Sequence, residues 1–458
     1  MSVIKAINYA ERNHNRFLEE LKDLVSIPSI SSDTNHISDM KDCALFVKDA
    51  MTSIGFDRVE MMDSIGHPII YGEWLGAPEA PTVLLYGHYD VQPVDPLELW
   101  DAPPFQPLVR DNRLYGRGTV DDKGQFYLHL KAMESWLLST GELPVNVKVI
   151  IEGEEEVGSE SLEPFLENNK EMLSADVAVI SDTSMIKKGW PSITYGLRGI
   201  AYFQIDITGP SQDLHSGMFG GAVKNPIHAL TEIIGKLKDE KGHILIPGLY
   251  DNVVELTEIE RKAMSELPFD EEAFLKEVGA PQLSWEDGYT PLESLWCRPA
   301  LDINGIWGGF SGEGSKTVIP SKAHAKLSIR LVPNQEPDTI GDLLESYIKE
   351  ISPKEVTISI KRMHGGRPFL GDLSHPAFAA ASRALEKGFG TKAVFIREGG
   401  SIPFVKNMTE QLNLPCLLLG FGLPGENAHA PNEWIDLDNY NLGTVSAIHL
   451  YKELSTLS

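Results

Sequence analysis

The stretch Thr82-Val83-Leu84-Leu85-Tyr86-Gly87-His88-Tyr89-Asp90 decides how this chain is organised. Four apolar residues in succession, Val83 to Tyr86, bounded by Pro81 and Gly87, predict a strand buried on both faces. Its carboxyl end delivers His88 and Asp90, which stand two apart and so point to one side if the extended backbone continues. In an open α/β sheet the crevice beyond the strand ends is where ligands sit, and both residue types bind metals or support residues that do. On its own the pair also reads as a solvated loop.

Further apolar runs end in the same way. Val145 to Ile151 runs into Glu152, Glu154, Glu155 and Glu156, and Ala175 to Ile180 runs into Ser181 and Asp182. Between them, the glycine-rich turn Gly116 to Gly124 carries the adjacent Asp121 and Asp122, just before a helical pattern at Phe126, Leu130, Met133 and Leu137. Cys416 to Leu419 leads through Gly420 and Gly425 to His429. The glutamates at 152 to 156 taken alone could be a solvated acidic turn. Carboxylates gathered without a cation would raise one another's pKa, so a pair of divalent metal ions is the economical account of all these strand ends together.

Composition sets outer limits. A chain of 458 residues exceeds what one core usually organises, so two domains are expected. The formal net charge of −26 argues against nucleic acid or an anionic membrane as partner. Cys43, Cys297 and Cys416 lie far apart without a Cys-x-x-Cys pattern, which suits a reducing cytoplasm better than a disulfide framework. The amino terminus lacks a long apolar stretch and no run of about 18 apolar residues occurs, so a cytoplasmic protein is expected.

Periodicity predicts a first helix through Phe17, Leu21, Leu24 and Val25, a second through Cys43, Phe46, Val47, Ala50 and Ile54, and short strands near Val59 and Ile69. Strands alternating with helices imply an α/β domain with a mostly parallel sheet. Near Arg198 the texture changes: Ala201, Phe203, Ile205 and Ile207 alternate with polar residues, as in a strand with one wet face. A helix over 226–237, strands over 303–307 and 317–332, a helix over 340–351 and a strand over 356–363 complete β-α-β-β-α-β, the ferredoxin-like order. The expected division is a catalytic domain in two parts, 1–197 and 366–458, with an inserted ferredoxin-like α+β domain over 198–365.

These residues in this order resemble the M20 metallopeptidases, and within them the carnosinase-like, cytosolic non-specific dipeptidase branch. The strings that carry the resemblance span nearly the whole chain: Gly-His-Tyr-Asp-Val-Gln-Pro at 87–93, Tyr-Gly-Arg-Gly at 115–118 with the Asp-Asp-Lys-Gly that follows, Glu-Gly-Glu-Glu-Glu-Val-Gly-Ser at 152–159, Ile-Thr-Tyr-Gly-Leu-Arg-Gly at 193–199, Asp-Leu-His-Ser-Gly at 213–217, Lys-Thr-Val-Ile-Pro at 316–320 and Glu-Gly-Gly-Ser-Ile-Pro at 398–403. The resemblance implies two divalent ions per subunit, Zn²⁺ or Mn²⁺. It implies Asp121 as the bridging ligand, with a cis bond to Asp122, His88 and Asp182 on one ion, and Glu156 and His429 on the other. Asp90 then reads as the acceptor for the ring nitrogen of His88 that faces away from the metal. Glu155, next to a ligand, reads as the general base acting on a hydroxide bridged between the ions. Where the branch commonly has Gly-Ala-His-Ser-Gln-Asn-Glu, this chain has Asn-Ala-His-Ala-Pro-Asn-Glu around His429.

A dipeptide carries a free carboxylate, which Arg330 can grip bidentately. The resemblance adds Thr317, His364 and Ser401 as substrate contacts. His215, in a loop with Gly217, Gly220 and Gly221, reads as the donor to the oxyanion, and in dimeric members the matching histidine reaches into the partner subunit's site. The insert is thereby expected to act as a lid and dimerisation domain of a homodimer. His129, on the apolar face of the helix after Asp121, is assigned to packing. The expected activity is metal-dependent hydrolysis of dipeptides or other very short peptides. A deacylase of N-acyl amino acids on the same fold is the alternative, and a non-catalytic binding protein a more distant one.

Overall fold

The computed structural model describes residues 2–400 and 402–457. The chain forms two compact units: one runs from the amino terminus to Tyr195 and adds Gly371–Ile396 and the chain from Asn407 onward, and the other comprises Gly196–Leu370 and Arg397–Lys406.

The first unit is built on a sheet in which the strands follow the order Arg58–Met62, Ile69–Trp74, Asn146–Glu152, Thr82–His88, Val177–Ile180, Cys416–Gly420 and Ser192–Leu197. Its four middle strands, from Asn146–Glu152 to Cys416–Gly420, run parallel and the margins are antiparallel. The expected parallel sheet therefore forms the centre. Parallel strands need cover on both faces, and Val83 to Tyr86 are fully buried, while every residue of Asn146–Glu152 is buried. The helix Val3–Val25 contributes Phe17, Leu21, Leu24 and Val25 to the core, Ile37–Ile54 contributes Cys43, Val47, Met51 and Ile54, and Leu437–Leu454 contributes Tyr440, Ile448 and Tyr451. The helix Lys123–Thr140 is buried all round from Lys123 to Leu137, which explains why its apolar pattern is not confined to one stripe.

The second unit carries an antiparallel sheet in the order Ala300–Gly308, Lys322–Leu331, Gly199–Thr208, Thr357–Gly366. With the helices Pro226–Ile234 and Pro337–Ile351 interleaved in the chain, this is the ferredoxin-like order and topology. One face packs Ala201, Phe203, Ile205 and Ile207 with Ala323, Ala325, Leu327 and Ile329 against those helices. Two details differ from the periodicity. The strand expected over 317–332 is interrupted, because Pro320 has no amide to donate, and becomes Val318–Ile319 and Lys322–Leu331. The helix expected to reach 237 ends at Ile234, capped at Gly235.

Candidate metal centre

The parallel registers bring four strand ends side by side. His88 is level with Glu152, and Tyr86 with Ile180, so Asp182 comes level with His88. On the other flank of Val177–Ile180, Leu418 is level with Ile180, and the chain beyond it turns back to His429, which holds a left-handed φ of 62°. Asp121 arrives from the turn before the helix Lys123–Thr140, and its bond to Asp122 is cis. That helix can approach only because position 87 is glycine: a Cβ there would lie 2.5 Å from Phe126 Cβ and 3.0 Å from Asp122 Oδ2.

Two trios of ligand-type groups result, His88 with Asp121 and Asp182, and Asp121 with Glu156 and His429. In each, the candidate ligand atoms lie within 4.8 Å of one another, and Asp121 belongs to both. Asp121 Oδ1 is 3.2 Å from His88 Nε2, and Asp121 Oδ2 is 2.8 Å from His429 Nε2. Asp182 Oδ2 stands 3.8 Å from His88 Nε2, and Glu156 Oε2 stands 3.3 Å from His429 Nε2. The decisive detail is His88 Nε2, which is buried and makes a hydrogen bond to neither carboxylate. An imidazole nitrogen and two carboxylate oxygens facing one point without hydrogen-bond geometry suit a cation, and a buried nitrogen left without a partner is otherwise costly.

Asp90 does more than the sequence suggests. Its Oδ1 lies 3.3 Å from His88 Nδ1, whose ring also sits 3.1 Å from the Asp90 carbonyl. The same carboxylate accepts the amides of Glu155 at 3.2 Å and Glu156 at 3.1 Å, so one buried acid ties the histidine to the turn that carries both glutamates. Glu156 also accepts Gln92 Nε2 at 2.7 Å. Glu152 stays behind as a brace, its Oε1 accepting Tyr86 Oη at 2.6 Å and Ser159 Oγ at 2.9 Å.

Glu433 was not singled out as a site residue. Fully buried, it accepts Arg117 Nη1 at 2.8 Å and the Gly118 amide at 3.0 Å on one oxygen, and the amides of Val120 at 3.0 Å and Asp121 at 3.3 Å on the other. The sequence offers one signal for it, the Asn-Glu pair that follows His429 as in the resembled branch.

The charges describe a site that seeks a cation. Burial works against a charged His88, yet Asp121, Asp182 and Asp90 hold its pKa well above the usual value. Asp121 and Glu156 raise His429 to about 11. Burial and neighbouring acids push Asp182 up to about 6 against the pull of His88, and burial with Asp182, Asp121 and Glu156 pushes Glu155 well above the carboxylate range. Asp121 goes the other way: burial would raise it, but His429 and His88 together hold it below. The acids around His88 and His429 thus favour positive charge at both trios. His129 is a packing histidine, with Nδ1 3.1 Å from Tyr451 Oη and Nε2 2.8 Å from Ser181 Oγ.

The remaining candidates lie in the second unit. The two-residue ladder Leu214–His215 pairs with Val318–Ile319, and the Ser216 amide donates to Thr317 O at 3.1 Å, which brings His215 and Thr317 into one corner. His215 Nδ1 accepts the Gly217 amide at 3.0 Å, so the neutral ring keeps its proton on Nε2. Arg330 sits in Lys322–Leu331 opposite Ile200, and His364 stacks on Tyr202 with ring centroids 5.0 Å apart. Ser401 lies outside the described residues.

The model for Peptidase family M20/M25/M40 matches residues 84–453. The chain belongs to this family. It is an M20 metallopeptidase, similar over its whole length to the Cys-Gly metallodipeptidase of Schizosaccharomyces pombe, at 36% identity over 474 residues covering 100% of this chain and 99% of the relative. The human Beta-Ala-His dipeptidase is 35% identical over 395 residues, 85% of this chain and 78% of its own. Among solved structures, human carnosine dipeptidase 1 superimposes with a TM-score of 0.86 at 32% identity, covering 100% of this chain and 99% of that one. The di-peptidase Dug1p from Saccharomyces cerevisiae gives 0.85 at 32% identity, with coverage of 100% and 99%. The M20 chain thus stands in the branch of these dipeptidases and shares their pairing of a large α/β sheet with a separate antiparallel one. None of its helices among the described residues is long and apolar enough to cross a membrane.

Proposed function

We propose that this M20 peptidase hydrolyses the peptide bond of dipeptides or similarly short peptides with two divalent cations, Zn²⁺ or Mn²⁺. His88 and Asp182 would hold one, Glu156 and His429 the other, and Asp121 both. The observation that carries the reading is the pair of ligand trios meeting at Asp121, with the buried His88 Nε2 lacking a hydrogen-bond partner. Cations at these trios would polarise the scissile carbonyl and lower the pKa of a bound water.

The side chains divide the remaining work. Asp90 orients His88 and fixes the turn of Glu155 and Glu156. Glu155, electrostatically coupled to the ligands and not itself in either trio, accepts the proton of the attacking water and returns it to the leaving amine. His215, with a proton on Nε2, is the donor for the oxyanion, and Arg330 grips the carboxylate of the substrate, aided by Thr317, His364 and Ser401 in the family pattern. The inserted unit acts as the lid and dimerises, with His215 serving the partner subunit's site, and three buried thiols support a cytoplasmic setting.

The names of the relatives suggest which substrates to try first. A panel of Cys-Gly, β-Ala-His and Ala-Ala, run against N-acetyl amino acids with and without chelator, tests the reading. Turnover of dipeptides that chelator abolishes and a divalent metal restores is expected. Faster cleavage of N-acetyl amino acids would make the protein a deacylase, and no metal-dependent turnover of either class would leave a binding protein.

A further inference from the structure

The sheet of the second unit carries two arginines beside each other where one would have sufficed for charge. Arg330 lies in Lys322–Leu331 opposite Ile200, on the face away from the apolar core of Ala201, Phe203 and Ile205. Arg198 immediately precedes the strand Gly199–Thr208, two residues before Ile200 and within a diagonal step of Arg330. It is 8% exposed. Its Nε–H donates to Gly399 O at 3.0 Å, and its own amide to Gly400 O at 3.1 Å. Beyond that, its guanidinium makes no ion pair among the described residues.

A buried guanidinium without a carboxylate is costly, and a second one close by adds to the cost. Burial first and the positive charge of Arg330 next pull Arg198 down to about 10, against the opposing pull of Asp302 and, more weakly, Cys297. Asp302 is exposed and stands opposite Ser328, two residues along the strand from Arg330. Arg198 itself has no carboxylate in an ion pair among the described residues, and its buried charge calls for an anion. The approach is kept open by glycine: a Cβ on Gly399 would lie 2.9 Å from Arg198 Nη2.

We propose that Arg198 is a second guanidinium for the carboxylate of the peptide substrate, forming a clamp with Arg330 that makes the enzyme selective for a free carboxyl terminus. This rests on the dipeptidase reading and on the role given there to Arg330. Two planar forks hold a carboxylate more tightly and in a more defined orientation than one, because each supplies parallel N–H donors. A neutral amide terminus satisfies neither charge.

The experiment compares Ala-Gly with its carboxamide as substrates for the wild type, Arg198→Gln and Arg198→Lys, with Arg330→Gln as the reference. The wild type is expected to favour the free acid. Arg198→Gln should lose at least about tenfold of that preference, chiefly through KM for the acid, while kcat/KM for the amide falls much less. Arg198→Lys, which keeps the charge but not the fork, should retain an intermediate preference. It also decides the matter should thermal unfolding show that the glutamine variant does not fold. An unchanged acid-to-amide ratio in the folded variants would overturn the inference and leave Arg198 as a brace for the Gly399 carbonyl, as would a wild type indifferent to the terminus. A wild type that cleaves neither peptide would instead overturn the dipeptidase reading itself.

Discussion

The carboxylate of Glu433 holds the amide of Asp121 at 3.3 Å, and does so from four residues beyond His429. Its remaining hydrogen bonds, from Arg117, Gly118 and Val120, shape the rest of the same turn. The loop that supplies His429 therefore also fixes the residue shared between the two trios, although more than 300 positions separate them in the chain.

Glu433→Gln keeps the shape but turns one acceptor into a donor facing backbone N–H groups. Affinity for divalent metal should drop by about 10–100-fold, the range typical of residues that orient metal ligands. Glu433→Ala should also lower the unfolding midpoint, because it leaves a buried guanidinium without its partner. Metal titration and thermal unfolding of the two variants check both statements, and wild-type metal affinity in the glutamine variant would refute the first.

Asp90 joins His88 to the Glu155–Glu156 turn, so its removal disturbs Glu155 and both ligand trios together. Asp90→Asn should reduce kcat/KM by about 100-fold with a parallel weakening of metal binding. A loss of turnover at unchanged metal affinity would show that the clamp on the turn matters less than the distances suggest.

Glu155→Gln separates chemistry from metal binding. The variant should bind metal like the wild type, since Glu155 is in neither trio, while kcat falls by about 10²–10⁴. Metal content and steady-state kinetics on the same preparation distinguish this from a ligand role, in which both would fall.

Much of this arrangement was legible because apolar runs stop where chemistry begins. Val83 to Tyr86 and Val177 to Ile180 are uninterrupted, and a parallel sheet obliges such ends to share one edge, so His88 and Asp182 are legible as parts of one site, although their pairing on one metal comes from the resemblance. His429 was harder. It sits at positive φ in a loop without period, and only the resemblance paired it with Glu156. Glu433 could not be assigned, because its donors are mostly backbone amides, which leave no mark in the sequence. The same limit hid the second role of Asp90. Arg198 passed as a boundary marker, since its meaning depends on what lies across a sheet register.

His129 supplies a pH test that is independent of the metals. Burial lowers its pKa to about 3 from an unfolded value of 6.5, so it stays neutral in the folded protein at neutral pH. Between these two values the unfolded chain binds a proton that the folded one refuses. The stability His129 lends is therefore present above pH 6.5 and drains away as the pH falls towards 3, at up to about 1.4 kcal/mol per pH unit. Urea unfolding at pH 7, 5 and 4 should show the wild type losing stability more steeply than His129→Gln, and parallel curves would contradict it.

The most direct test counts divalent ions. Titration of metal-free protein with Zn²⁺ or Mn²⁺, followed by mass measurement under non-denaturing conditions, should give about two tightly bound ions per chain, and Asp121→Asn should weaken both sites at once because each trio contains that carboxylate. A single ion per chain, or two ions whose binding is indifferent to Asp121→Asn, would contradict the shared-ligand centre.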